Sequence, residues 1–95
     1  MSFECHVTAE LPTDPDRLRA FEVLATNNGW KTSTIEGDPV LGKGPRFYFT
    51  KHSLNFIKLH REMIDLCQCI LGWKSPEVKL VRRKIEAILI DEFLR

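Results

Sequence analysis

Two stretches of this chain alternate apolar and polar residues so regularly that they call for a sheet with two chemically different faces. Phe3-Glu4-Cys5-His6-Val7-Thr8-Ala9-Glu10-Leu11 lies near the start, and Arg46-Phe47-Tyr48-Phe49-Thr50-Lys51-His52 lies in the middle. Side chains along a strand point alternately to opposite faces, so a period of two marks a half-buried strand. Phe3, Cys5, Val7, Ala9, Leu11, Phe47 and Phe49 then face the core. Glu4, His6, Thr8, Glu10, Arg46, Tyr48, Thr50 and His52 share the opposite face.

The remaining segments supply helices and two further strands. Thr13-Asp14-Pro15-Asp16 offers a capping side chain, a proline for the first turn and early acidic charge. Leu18, Phe21, Leu24 and Ala25 follow at helical spacing, and Asn28-Gly29 provides a left-handed stop, which predicts a helix over residues 14–28. Residues 30–37 are rich in Thr and β-branched side chains and predict an edge strand. Residues 38–45 hold two prolines and two glycines and predict a loop; Gly42-Lys43-Gly44-Pro45 precedes a strand rather than a helix, so it reads as a hairpin connection and not as a P-loop.

Ser53 is placed to cap the longest helix, residues 54–71. Phe56, Ile57, Leu59, Met63, Ile64, Leu66, Cys67, Ile70 and Leu71 fall on one arc, with Lys58, Arg61, Glu62, Asp65 and Gln68 opposite. His60 shares the apolar arc with Cys67 and is expected to be a packed core histidine rather than a metal ligand, since no further Cys or His has ligand-like spacing. A last strand from Glu77 turns Val81 and Ile85 inward and Arg82, Lys84 and Glu86 outward, although Arg83 then also points inward. Residues 85–94 fit a helix or a continuing strand. Phe21, Phe47, Phe49, Leu59, Met63 and Leu66 are the expected core.

The order β-α-β-β-α-β is best satisfied by an α+β fold, the ferredoxin-like arrangement. Two helices cover one face of a four-stranded antiparallel sheet, and the first and third strands are central neighbours. At 95 residues and 43% hydrophobic composition, residues 1–95 are expected to form one domain. A formal net charge of +1 argues neither for nucleic acid nor for a membrane surface. Three cysteines without a disulfide framework, an N-terminus without a signal-peptide pattern and no membrane-length apolar run predict a cytoplasmic protein.

The chemistry worth testing sits on the open face. His6 and Thr8 share it with Tyr48, Thr50 and His52 on the expected neighbouring strand, and Arg46 and Lys84 lie close by. Histidine titrates near neutral pH and serves as general acid or base, while hydroxyls and cations hold phosphate oxygens. The bland alternative is a solvated polar face, where cross-strand His and Thr pairs stabilise a sheet with no chemistry involved. Tyr48 and His52 are the outward aromatic groups of the third strand, fewer than an RNA-stacking platform uses.

His6-Val7-Thr8 resembles one half of the signature of the two-histidine phosphoesterases, which carry two His-x-Ser/Thr motifs on paired strands. Here the second element is reversed, because Thr50 precedes His52. That resemblance implies phosphate-ester chemistry at His6, Thr8, Thr50 and His52. More broadly, Glu4-Cys5-His6-Val7-Thr8, Gly29-Trp30-Lys31, Phe47-Tyr48-Phe49-Thr50-Lys51-His52 and Arg83-Lys84-Ile85-Glu86 resemble small bacterial α+β proteins of unassigned function.

Three function classes follow, in this order. The first is an interaction module that pairs with itself as a homodimer, or with a protein partner, through the open face or an edge strand. The second is a site for a small phosphate-bearing ligand, hydrolytic or not, formed by His6, Thr8, Arg46, Tyr48, Thr50, His52 and Lys84. The third is RNA binding. None implies a cofactor or a metal.

Overall fold

The computed structural model describes residues 1–11, 14–35, 37, 40, 45–74 and 76–89. Its elements are β1 (Ser2–Glu10), α1 (Pro15–Asn27), β2 (Lys31–Ile35), β3 (Arg46–Ser53), α2 (Phe56–Leu71) and β4 (Lys79–Ile88). They form one antiparallel sheet in the order β2-β3-β1-β4, the ferredoxin-like β-α-β-β-α-β topology. The central pair places Val7 opposite Phe49, His6 opposite Thr50 and Glu4 opposite His52. Residues 42–44, read from the sequence as part of a hairpin loop, lie outside the described residues, as do residues 90–95 of the ambiguous tail; residues 85–88 continue β4.

Alternation dictates the core. Cys5, Val7, Ala9 and Phe49 are buried on one side of the sheet, against Phe21 and Ala25 of α1 and Leu59, Met63, Leu66, Cys67 and Ile70 of α2. Burying each large aliphatic or aromatic side chain contributes about 1.5–3 kcal/mol, so this cluster is the main source of stability. Phe21 stands edge-on to Phe49 at 5.6 Å between ring centroids and to Trp73 at 5.1 Å. Phe47, expected in the core, is half-buried: it packs against the core from beside Thr34 on the edge strand β2.

Several local expectations are corrected. The α2 cap is Asn55, whose side chain accepts from the Lys58 N–H at 3.0 Å; Ser53 ends β3, and its hydroxyl accepts from the Asn55 N–H at 3.0 Å. Ile57 and Leu71 are exposed at the margins of the apolar arc, and Phe56, within the arc in the first turn, is partly exposed beside Phe3, edge-on at 5.4 Å between ring centroids. His60 is exposed as well, stacked on Phe56, and is no core histidine. In β4 a bulge separates the pairs Thr8–Arg82 and Ala9–Leu80, so Val81 is the extra residue and Leu80 takes the inward place expected of it. A bulge inserts one residue and resets the alternation, which is why no single register fitted this strand.

The thiols are chemically distinct. Burial pushes the Cys5 thiol up to about 12. Burial also raises Cys67, against the lowering hydrogen bond and charge of Arg83. Cys69 is exposed. In the native protein at neutral pH, a thiol reagent is expected to label Cys69 and to reach Cys5 and Cys67 after denaturation. Rapid modification of Cys5 in folded protein contradicts this packing. Phe49→Ala is expected to destabilise by about 3–5 kcal/mol in chemical denaturation, the usual cost of truncating a buried aromatic.

Candidate functional site on the open sheet face

The face away from the helices is built in rows of side chains that run across the strands. Residues paired in register share a face, so the rows are Glu86, Glu4 and His52; then Lys84, His6, Thr50 and Lys31; then Arg82, Thr8, Tyr48 and Ser33; then Lys79, Glu10, Arg46 and Ile35. Successive rows are two residues apart, roughly 6.6 Å. His6, Thr8, Arg46, Tyr48, Thr50, His52 and Lys84 therefore all lie on this face, as the alternation of β1 and β3 predicts.

Glu4 organises the centre. Its Oε1 is 2.6 Å from His6 Nε2, and its Oε2 is 2.7 Å from His52 Nε2. A carboxylate only accepts, so both imidazoles donate Nε2–H to it. The far side of His6 meets Thr50: Nδ1 lies 3.5 Å from Oγ1, the limit of a hydrogen bond. A neutral His6 accepts there from the hydroxyl, and a protonated one donates to it. The space between the two imidazoles thus holds a carboxylate of the chain itself. Sequence reasoning placed Glu4 on this face without giving it a role; the available signal was its position two residues before His6 on the same side.

The other residues are spread out. Arg46 is two rows from Thr50, roughly 13 Å along the strand, and its Nε lies 3.7 Å from Glu10 Oε1. Lys84 pairs with Glu86, and that hydrogen bond and charge hold the Glu86 carboxyl below the usual carboxylate range. Thr8 is buried, flanked in its row by Tyr48 and Arg82. Among the described residues, no cluster of three or more His, Cys, Asp or Glu side chains is arranged to hold a metal ion, and no helix is long and apolar enough to cross a membrane.

The described clefts lie on the helix side, between α1 and α2 and between α1 and β2. The first involves Trp30, Lys51 and Glu62, which sequence reasoning left out of any site. The missed signal was a charge at inward parity: Lys51 follows Thr50 on β3, pairs with Cys5 and faces the helices.

No family model, curated protein or solved structure matches this chain.

Removing one carboxylate should disturb both histidines together. In Glu4→Gln, the ring resonances of His6 and His52 are expected to move in the same variant, whereas Glu10→Gln leaves both in place. NMR of the histidine side chains reads the outcome directly. A Glu4→Gln variant that moves neither ring contradicts the clamp.

Proposed function

We propose that this protein is an interaction module whose open sheet face docks an acidic segment of a protein partner. The charge pattern of that face carries the reading. Glu4 is taken up by two imidazoles, Glu10 by Arg46 and Glu86 by Lys84, whereas Arg82, whose charge acts on Glu86 at longer range, and Lys31 form no direct salt bridge with a carboxylate among the described residues. Cations without a direct internal salt bridge attract and orient an anionic partner. Arg82 shares its row with Tyr48, and Arg and Tyr are the residue types that most often anchor interfaces. An uncovered strand surface suits a macromolecular partner, since small ligands favour concave sites that enclose most of their surface.

One observation favours a second reading. Glu4, His6 and Thr50 stand in the order carboxylate, imidazole, hydroxyl, the sequence of contacts that orients a base against a nucleophile. That arrangement supports binding or hydrolysis of a phosphate ester.

An NMR titration separates the two. A glutamate-rich peptide is expected to shift the Thr8, Tyr48 and Arg82 signals. Arg82→Ala is expected to weaken the peptide by about tenfold, equivalent to about 1.4 kcal/mol. Inorganic phosphate and a mononucleotide are expected to leave the face unmoved. If they shift His6 and Thr50 while the peptide shifts nothing, the phosphate-ester reading replaces the first.

A further inference from the structure

We propose that the cleft between α1 and α2 is a binding site for a small apolar molecule that carries a cationic amine. The two helices divide the sheet between them: α1 leans on β2, while α2 leans on β1, β3 and β4. The gap left between them has a volume of about 140 Å³. That is close to the roughly 150 Å³ that accommodates a benzene ring in an engineered apolar cavity. Its apolar lining comes from Phe21, Ala25, Trp30 and Leu66. An apolar body of one ring therefore fits the space and the surface.

The charge of the ligand follows from the lining. Three charged side chains border the cleft, Lys51, Glu62 and Asp65, so it carries one more negative charge than positive. The C-terminal end of α1 opens onto it at Asn28, and that end bears partial negative charge with no basic residue in its last turn. The cleft already holds one ammonium. Lys51 Nζ stands 5.4 Å from the centroid of the Trp30 ring, donates to the Asn28 carbonyl at 2.5 Å and pairs with Glu62. An aromatic face, a carbonyl and a carboxylate are the groups that recognise an alkylammonium. Asp65 supplies a further carboxylate that Lys51 does not engage among the described residues. A ligand amine would take Asp65 while its ring lies against Trp30 and Leu66.

This site lies on the opposite side of the sheet from the acidic-peptide surface and does not depend on it. The test uses the full chain and three probes of one shape: benzylamine, benzyl alcohol and benzoate. NMR signals of the Trp30 indole and the Cys69 amide are expected to shift with benzylamine most strongly and with benzoate least. Asp65→Asn, an exposed substitution, is expected to weaken benzylamine by roughly two- to fivefold, the scale of a solvent-exposed ion pair. The same variant should leave benzyl alcohol unchanged. Lys51→Met is expected to strengthen benzylamine by freeing Glu62. Benzoate binding as well as benzylamine does, and losing its affinity in Lys51→Met, would make the cleft an anion site and overturn the proposal. So would the absence of any shift with all three probes.

Discussion

The antiparallel register of β1 against β3 is the constraint on which everything else rests. Val7 opposite Phe49 sets which side chains meet the helices, and His6 opposite Thr50 sets which meet the outside. Because the strand period is two, a slip of β1 by one residue would turn Cys5 and Val7 outward and bring Glu4 and His6 to the helix side. Burying polar groups without partners costs several kcal/mol each. The hydrophobic pattern therefore specifies the core and the polar face in one step, and neither can change without the other.

How much of this was legible in the sequence depends on where the information sits. The alternation of residues 3–11 and 46–52 made both central strands, their shared face and the fold readable. Capping within Thr13-Asp14-Pro15-Asp16 was equally local, and Asp14 is the residue that caps α1. β4 was legible as a strand, with Ile85 inward and Arg82, Lys84 and Glu86 outward, but its register before Arg82 was not, because the bulge at Val81 is defined by pairing with β1 rather than by its own residues. The α2 cap was misplaced because both Ser53 and Asn55 are good capping residues, and the extension of β3 decides between them. His60 illustrates a different limit: it shares the arc with buried Cys67 yet is exposed, because an apolar arc does not say which of its positions the sheet covers.

The site shows the same division. Alternation brought the two histidines, two threonines and Tyr48 to one surface, yet it carried no account of what fills the space between them. Rotamers decide that, and the Glu4 carboxylate reaches both rings. The consequence for function is large. Two imidazoles bridged by a carboxylate are held in fixed orientations, and an external anion must compete with an internal one already bonded at 2.6 and 2.7 Å. The cations outside that clamp that form no direct salt bridge among the described residues, Arg82 and Lys31, are then the groups left to meet an external anion.

Lys51 raises the sharpest energetic question. A lysine at inward parity on a central strand must lose water, and a partly buried ion pair with Glu62 returns little net stability, since desolvation offsets most of the attraction. Packing does not require the charge: a methionine of similar length would cover the same surface. The surroundings are nonetheless fitted to it. Gly29, at φ +86°, leaves room where a Cβ would lie 3.3 Å from the Lys51 Cε, and the Asn28 carbonyl and the Trp30 ring complete the contact. An aliphatic stem threaded past a glycine to an aromatic face and a carboxylate links the end of α1 at Asn28 to Glu62 of α2. The cleft beside it sets a ring-sized apolar surface next to charged side chains. Such an arrangement forgoes packing that an all-apolar core would keep, which is the ground for proposing a ligand there.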